Sequence, residues 1–479
     1  MYTYQDFIKD SEQTGVAYAV KTAIERHITS ELYKTARIAD EYDKQRNPTI
    51  NEYVKTIFNS FGMQVEDITA ANNRISSNFF HRLNTQRCTY SLGNGVSFSD
   101  HVDEVKDQNG LTVQIDTTKE KLGKKFDTDL KKCGYKALIH GVSFGFWNVK
   151  RLHVFPVTEF VPLWDEDTGA LRAGIRFWRL DDDKPMTAVL YAEDGYTTYK
   201  SKSGLNNMDF STEDQRPKPY KVTISSVPAD GDEIVGESNY GVLPVVPLWG
   251  SDLHQSTLIG MREKIDSFDL IRSGFANDLE DVSQIYWIVE NCGGMSMNEL
   301  IKLRDKMRIT HFVETDEEGH ITPYTQEIPY QARQQYLDSI RAGIYEDFGG
   351  LDVHTVAAGA TNDHIDAAYQ PMDENADDFE YNVIEFVQQV LKLMDIEDTP
   401  IFKRNRVSNQ NEQTQMVLLA ANYLDDETVL RHLPWISVDE IPQIMANKDA
   451  SDNSAFETDE DGQGDGPEDG DGSTPGENA

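Results

Sequence analysis

One segment of the chain has the spacing of a nucleophilic serine. Residues 141–145 read Gly-Val-Ser-Phe-Gly and follow His140, which matches the G-x-S-x-G pattern of serine hydrolases. In those enzymes a strand runs into a sharp turn that exposes the serine, and a helix follows. Here the helical pattern precedes Ser143, the strand pattern follows it, and no HGGG-type segment lies upstream. A helix exit into a hairpin is therefore favoured, with a serine hydrolase built on Ser143 as the alternative.

Two further segments contain residue types that bind metals. Asp352 and His354 lie two positions apart, as do His364 and Asp366, and a carboxylate beside an imidazole could hold a divalent ion. No third dense group of ligands is near, so a solvated polar loop is favoured and neither a metal nor a cofactor is expected. The acidic run 459–472 lacks the register and the closing glutamate of an EF-hand. A cation-binding adaptor that uses this tail is a third possibility.

The composition argues against several other classes. The formal net charge of the 479 residues is −37, and a chain this acidic repels nucleic acid phosphate and anionic membranes. Neither a Walker A sequence nor a Rossmann glycine pattern occurs, and no signal peptide or apolar run long enough to span a membrane is visible. Cys88, Cys133 and Cys292 are too far apart to indicate a zinc site or a disulfide framework. A non-enzymatic protein is expected.

The element that most constrains the architecture is a long helix predicted over residues 257–286. It follows the apolar, proline-containing strand 243–249, and its apolar residues are spaced by three, four or seven. These residues are Ile265, Phe268, Phe275, Leu279, Val282 and Tyr286. The rest of the helix is strongly acidic. One apolar stripe with an acidic remainder favours assembly with neighbours rather than a catalytic pocket.

Other segments alternate between helical and strand patterns. Helices are predicted over most of residues 1–87, over 118–139, 297–308, 330–348 and 375–394, and in short pieces over 411–446. Residues 72–80 read as a helix or an extended entry. Residues 144–199 and 220–227 favour antiparallel hairpins, and further strands are predicted at 285–289, 309–313 and 321–324. The acidic tail after residue 448 is expected to be disordered because it lacks apolar residues to bury.

The order of these segments resembles the portal proteins of tailed bacteriophages, of the siphophage type. The resemblance extends over about residues 15–446 and depends on several phrases in sequence order. These are residues 73–80, 90–96, 137–145, 155–165, 173–178, 243–249, 264–269, 273–279, 402–406, 411–415 and 430–435. The resemblance implies an α+β, mainly helical portal-type fold with a β-rich wing, a two-helix stem, a small α/β clip, a long wing helix and a helical crown.

The resemblance also implies the domain limits. They are 1–255 for the wing, 256–286 for the first stem helix, 287–329 for the clip, 330–348 for the second stem helix, 349–362 for the tunnel loop, 363–407 for the long wing helix and its return, 408–447 for the crown and 448–479 for the tail.

By the same resemblance, the chain forms a closed ring of about twelve subunits at one capsid vertex. Double-stranded DNA would be packaged and ejected through the ring without sequence specificity. The expected partners are further copies of the chain, the large subunit of the terminase motor, head-completion or adaptor proteins, and the major capsid and scaffolding proteins; no membrane is involved. The expected location is the virion, with assembly in the bacterial cytoplasm.

Two groups of residues would face the DNA. The tunnel loop would contribute Gly349, Gly350, Asp352, His354, Thr355, Gly359, Thr361 and Asn362. The first stem helix would contribute Glu263, Asp266, Asp269, Asp278, Glu280 and Asp281. Acidic side chains would repel the phosphates and let the duplex slide, because a basic lining would hold it through counterion release.

Overall fold

The computed structural model describes most of the chain. The described residues are 2–58, 61–67, 70–106, 112–202, 208–227, 231–282, 286–290, 296, 298–299, 301–302, 320–324, 329–352, 362–406, 410–433, 436, 441, 443–445 and 447. They belong to two compact units. The first comprises residues 1–103, 114–353 and 369–406, and the second comprises 104–113, 354–368 and 407–479.

Helices and strands both contribute to the fold. The helices are α1 (Tyr4–Thr14), α2 (Val16–Thr29), α3 (Glu31–Asp43), α4 (Pro48–Asn51), α5 (Phe79–Leu92), α6 (Thr117–Leu122), α7 (Phe126–His140), α8 (Arg262–Val282), α9 (Tyr330–Phe348), α10 (Asn362–Lys392), α11 (Gln410–Ala420) and α12 (Asp426–His432). The strands are β1 (Thr56–Phe58), β2 (Gln64–Glu66), β3 (Val96–Phe98), β4 (Val102–Lys106), β5 (Thr112–Asp116), β6 (Val142–Trp147), β7 (Leu152–Pro156), β8 (Phe160–Trp164), β9 (Leu171–Trp178), β10 (Met186–Ala192), β11 (Gly195–Ser201), β12 (Lys221–Val227), β13 (Gly231–Ser238), β14 (Val245–Trp249), β15 (Tyr286–Glu290), β16 (His320–Tyr324) and β17 (Pro400–Phe402).

Two antiparallel sheets form the β-rich part of the first unit. One has the strand order β11-β10-β9-β8, and the other has the order β14-β6-β7. A shared aromatic core lies between them, in which the rings of Phe144 and Phe160 lie 4.5 Å apart and the ring of Phe155 lies 5.7 Å from that of Phe160. The hairpin turns predicted from the Asp- and Gly-rich segments between β8 and β11 are confirmed.

Helix α7 lies at the centre of the first unit. Its buried residues Leu130, Cys133 and Ala137 belong to one apolar cluster with Phe379 and Phe386 of α10. Gly134 allows this packing, because a Cβ at that position would lie 2.8 Å from the Phe379 ring. The long helix α10 is thereby fixed to the centre of the first unit along its second half.

Helix α9 occupies the range predicted from the sequence, Tyr330–Phe348. The other long helices differ. Helix α8 starts at Arg262 and ends at Val282, so it is shorter than the predicted 257–286, and Tyr286 begins a strand. Gly260 has a positive φ of 84° just before α8, and Gly123 (φ 82°) divides the predicted helix 118–139 into α6 and α7. Glycine adopts positive φ angles without strain, whereas other residues do not. Because an α-helix requires negative φ angles, the helix is interrupted at each of these two glycines.

The N-terminal segment contains a second difference. The apolar residues Ile57, Phe58 and Phe61 were predicted to be helical, but the first two lie in β1, which pairs with β2 in a hairpin. Residues 71–78 form neither a helix nor a strand, so the helical alternative for that segment is wrong up to the start of α5 at Phe79. Strand β16 is present as predicted, and it pairs with β15; its predicted partner 309–313 and most of helix 297–308 lie outside the described residues.

The second unit contains short helices where the sequence predicted them, α11 and α12. The tail 448–479 lies outside the described residues. No helix in the described part of the chain is long and apolar enough to cross a membrane.

Candidate functional site: the α8–α9 pair and its supports

Helices α8 and α9 pack side by side in opposite directions. Near the start of α8, Lys264 forms an ion pair with Asp347 at the end of α9. Near the end of α8, Asp278 forms an ion pair with Arg333 at the start of α9. The ring of Phe275 also stacks on that of Tyr330, with centroids 6.4 Å apart. The sequence between the two helices, 283–329, therefore leaves and returns at one end of an antiparallel pair.

The apolar stripe of α8 is only partly covered. Ile265 is buried, and Phe268 packs edge-on against Phe79 with ring centroids 5.0 Å apart. Leu279 lies on the same stripe but is 55% exposed, and Leu270 on another face is 45% exposed. The stripe therefore serves the subunit core near the start of α8 and leaves apolar surface uncovered near its end.

A polar face of α8 binds the extended segment 71–78. The backbone N–H of Asn73 donates to Asn277 Oδ1 (2.6 Å), that of Ile75 to Ser273 Oγ (3.0 Å), and that of Ser77 to Asp269 Oδ1 (2.9 Å). Four residues of helix rise about 6 Å, and two residues of extended chain rise about 6.6 Å, so every second amide meets every fourth helical side chain. We call these three hydrogen bonds the amide ladder.

Asp269 is the most buried acidic residue of this face, with an exposed fraction of 0%. Besides the Ser77 amide, its carboxylate accepts a hydrogen bond from Asn47 Nδ2. Burial raises the pKa of Asp269, although the hydrogen bonds from Asn47 and Ser77 act in the opposite direction. The expectation of a channel-facing Asp269 is therefore not compatible with its position in the subunit, where it binds the subunit's own backbone.

Asp266 is also committed to internal contacts. It accepts hydrogen bonds from Tyr42 Oη and from Thr49 Oγ1, the latter at 2.8 Å. Burial, together with the hydrogen bond to Asp266, raises the pKa of Tyr42 to about 12. Asp266 therefore connects α8 with α3 and α4.

The remaining acidic residues of α8 differ in accessibility. Glu263 and Glu280 are exposed, and Glu280 accepts a hydrogen bond from Asn73 Nδ2 at 2.9 Å. Asp278 is 37% exposed and pairs with Arg333. The side chain of Asp281 lies outside the described residues. From the amphipathic periodicity alone, all six acidic residues of α8 were assigned to one solvated face.

The start of the predicted tunnel loop is fixed to the subunit body. Gly349 ends α9 in the left-handed conformation (φ 63°). Gln86 of α5 then holds Leu351 with two hydrogen bonds, donating from Nε2 to the Leu351 carbonyl (3.1 Å) and accepting from the Leu351 amide at Oε1 (3.2 Å). Gly350 is needed between them because a Cβ there would lie 2.6 Å from Leu83 Cδ2.

Asp352 completes this anchor. Its two carboxylate oxygens each lie 3.0 Å from Nη2 of Arg341 on α9. His354, Thr355, Gly359 and Thr361 lie outside the described residues, and of Asn362 only the backbone, at the start of α10, is described.

We expect Gln86→Ala to loosen the start of this loop. The loss of two hydrogen bonds of about 1 kcal/mol each should accelerate hydrogen exchange at the Leu351 amide roughly 10- to 30-fold. Mass spectrometry of exchange over residues 349–352 measures this. Gln389→Ala, which removes an exposed glutamine that bonds Glu385 on the same helix (3.2 Å), is the matched control. Equal exchange in both variants would contradict the anchoring role.

A second polar network, which was not predicted from the sequence, holds residues 402–406 against α10. Arg404 contacts Asp373 (2.8 Å), Glu380 (2.9 Å) and Asp377, and Arg406 contacts Asp373 and the Tyr90 hydroxyl (2.7 Å). The recognisable signal in the sequence is the spacing of the three acids at i, i+4 and i+7, which places them on one face of a helix.

Ser143 does not have the environment of a catalytic nucleophile. It is fully buried within β6, and its hydroxyl lies 3.6 Å from Cys133 Sγ. Both glycines of the motif have structural explanations. Gly141 ends α7 with a φ of 91°, and Gly145 lies against Phe386, whose ring atom Cζ would be 2.4 Å from a Cβ. The serine hydrolase alternative has no support.

His140 and the suspected metal ligands have other partners or positions. His140 Nε2 lies 3.0 Å from Asp40 Oδ1, which connects α7 to α3, and burial lowers the pKa of His140. His364 and Asp366 lie on helix α10 rather than in the predicted polar loop, so their side chains do not share a face. Among the described residues, no group of three or more potential ligands could hold a metal ion.

Comparisons with known proteins agree with this architecture. The profile of the family described as "Phage portal protein, SPP1 Gp6-like" matches residues 23–454. A portal protein of Clostridium phage phiCD119 is 24% identical over 393 residues, which cover 76% of this chain and 82% of the relative. A portal protein of Bacillus phage SPP1 is 21% identical over 449 residues, which cover 87% of this chain and 83% of the relative. The chain belongs to the SPP1 Gp6-like family of phage portal proteins.

Proposed function

We propose that twelve copies of this portal protein form a ring at one capsid vertex, through which double-stranded DNA is packaged and ejected. The observation that carries the proposal is the family match over residues 23–454. The antiparallel α8–α9 pair supports a two-helix stem, with residues 287–329 as the clip at the end where the pair opens. The terminase motor would dock at the clip during packaging, and head-completion proteins would replace it afterwards.

The proposed DNA-facing groups follow from accessibility. Glu263 is exposed on α8, whereas Asp266 and Asp269 bind the subunit itself, so the stem's contribution centres on Glu263 with Asp278 and Glu280. Asp352 lies at the fixed start of the proposed tunnel loop, and the later residues assigned to this loop from the sequence are proposed to face the DNA. The ring would form a channel that does not bind DNA phosphates tightly, and a separate ATPase would drive DNA translocation.

Assembly takes place in the host cytoplasm under this proposal, before the ring becomes part of the virion vertex. Scaffolding and major capsid proteins would surround the wing and crown. Negative-stain electron microscopy of the purified full-length chain tests the ring directly. Rings of twelve units with a central hole wide enough for a duplex are expected, and rings with a closed centre would contradict a DNA channel.

We expect Glu263→Lys to slow DNA packaging at low salt. In a ring of about twelve subunits the substitution replaces about twelve negative charges on the channel wall with positive ones. Lysine side chains bind DNA phosphates, and this binding weakens strongly as the salt concentration rises. The packaging rate in a motor-driven assay should fall severalfold at 50 mM salt and recover as salt increases. Glu193→Lys makes the same charge change at an exposed turn between β10 and β11 and is the matched control. Equal slowing by both variants would contradict a stem role for Glu263.

A further inference from the structure

The hairpin formed by β1 and β2 has an unusual surface for so acidic a protein. Thr56–Phe58 pairs with Gln64–Glu66, with Ile57 opposite Val65. In the described part of the chain no third strand joins this pair. A two-stranded hairpin by itself is marginally stable in water, so burial of its exposed side chains against a further surface would stabilise it.

Large apolar side chains are concentrated on this hairpin. Their exposed fractions are 84% for Phe61, 75% for Phe58, 57% for Met63, 47% for Ile57 and 37% for Val65. Two aromatic side chains alone can bury about 300 Å² or more. Together with the side chains of Met63, Ile57 and Val65, they expose an apolar area comparable in size with the largest contiguous patch of a typical monomer, about 300–600 Å², although here the area is divided between the faces of the hairpin.

The two faces of the hairpin differ in polarity. Ile57 and Val65 are cross-strand neighbours, so they share one apolar face. Phe58 lies on the opposite face, because successive strand residues alternate, and it shares that face with the polar residues Thr56, Gln64 and Glu66. The exposed Ile57–Val65 face and the exposed ring of Phe58 give the hairpin apolar groups that contact with another surface would bury.

The ends of the hairpin are held firmly. Before it, α4 ends at Asn51, whose carbonyl accepts a hydrogen bond from Arg74 Nη1 at 2.7 Å. After it, the amide ladder fixes the following segment to α8, beginning with Asn73 on Asn277. The hairpin is thus positioned in advance relative to the end of α8, which reduces the ordering entropy that binding must overcome.

We propose that the β1–β2 hairpin inserts against the neighbouring copy of this chain in the ring. The inference rests on the ring assembly proposed above. A closed ring uses head-to-tail contacts, in which a projecting element on one flank meets a different surface on the next subunit. In such a ring each hairpin contacts one neighbouring subunit, and every subunit has its hairpin covered in the same way.

A second copy also offers apolar surface at a suitable position. Leu279 is 55% exposed and Tyr330 is 59% exposed. Both lie at the end of the α8–α9 pair where Asn73 fixes the hairpin to Asn277. DNA and anionic membranes suit the hairpin less well, because the flanking acids Glu52, Glu66 and Asp67 outnumber the nearby cations Lys55 and Arg74.

A photo-crosslinking amino acid at position 61 of the full-length purified chain tests the contact directly. We expect covalent multiples of the 54.3 kDa chain after irradiation. The same amino acid at Leu180, whose exposed fraction is also 84%, is the matched control and should give at least tenfold less of the crosslinked product. Absence of chain-to-chain crosslinks from position 61 would overturn the proposal, whether or not rings form.

Assembly of a charged variant gives an independent measurement. Phe58→Asp combined with Phe61→Asp should reduce ring yield at least tenfold in electron micrographs, while circular dichroism and the melting temperature of the subunit remain unchanged. Leu180→Asp should assemble like the wild type. Rings at wild-type yield from the double variant would overturn the proposal. A wild type that forms no rings would count against the proposed ring function, and crosslinks between copies at position 61 would still support the hairpin contact.

Discussion

Replacement of Asp269 with alanine is expected to lower the free energy of unfolding by about 3 kcal/mol. The substitution leaves the Ser77 amide without its acceptor in a site that water does not reach, and Asn47 Nδ2 keeps only its hydrogen bond to the Ser77 carbonyl (3.3 Å). A buried donor without a partner loses its hydration and gains nothing in return. The amide ladder would lose the rung nearest the start of α5, and segment 71–78 would be held by two rungs.

Urea unfolding followed by tryptophan fluorescence measures this loss. Asp278→Ala is the matched control on the same helix, because its carboxylate is 37% exposed and pairs with Arg333 at the surface. An exposed ion pair contributes less than about 1 kcal/mol. Ser273→Ala, which removes one rung without a charge, should cost about 1 kcal/mol. Equal losses for Asp269→Ala and Asp278→Ala would show that the ladder does not stabilise the subunit.

Asp269 and Glu263, both acidic residues of α8, show the limit of what helical periodicity in the sequence can predict. A helical repeat identifies polar positions, but it cannot distinguish a polar face in solvent from one that binds an extended segment of the same chain. The partner of Asp269 is Ser77, 192 positions away. Only the folded structure brings the amide ladder together, and so the sequence assigned Asp269 and Glu263 to the same surface.

The limits of a helix could be predicted from the sequence where a proline or a glycine marks its ends. Helix α9 was predicted with its observed limits because Pro329 precedes it and Gly349 follows it. Helix α8 was predicted too long at both ends, since Gly260 and the strand at Tyr286 interrupt an apolar spacing that continues across them. Ile57, Phe58 and Phe61 have spacing compatible with a helix, but they form a hairpin whose apolar groups face outward.

Distributed resemblance was more informative about function than any single motif. The G-x-S-x-G match at residues 141–145 is explained by a helix end at Gly141 and a close contact between Gly145 and Phe386. The portal family, in contrast, was identified from the order of many weak phrases, and the profile match over residues 23–454 confirms it.

The network around Arg404 leads to the second large expected effect. Arg404→Ala should lower the free energy of unfolding by about 2–3 kcal/mol at pH 7, less than for a fully buried pair because the side chain is 23% exposed. Without the guanidinium, Asp373, Asp377 and Glu380 repel one another along one face of α10. Arg404→Lys should give an intermediate loss, since an ammonium group cannot bridge three carboxylates in the geometry of a guanidinium.

The same network makes a prediction about pH. Burial alone would raise the pKa of Asp373, but hydrogen bonds from Arg406, Tyr90 and Arg404 outweigh it and hold the pKa below its ordinary value. A carboxyl whose pKa is lower in the folded state stabilises the fold above its unfolded pKa of about 3.9, and this contribution is lost as the pH falls below that value. The stability difference between wild type and Arg404→Ala should therefore narrow from pH 7 to pH 3. Melting temperatures across this range measure it, with Arg431→Ala, which removes an exposed pair with Glu427, as the control. A difference that stays constant with pH would mean that Arg404 acts through packing and not through the carboxylates of α10.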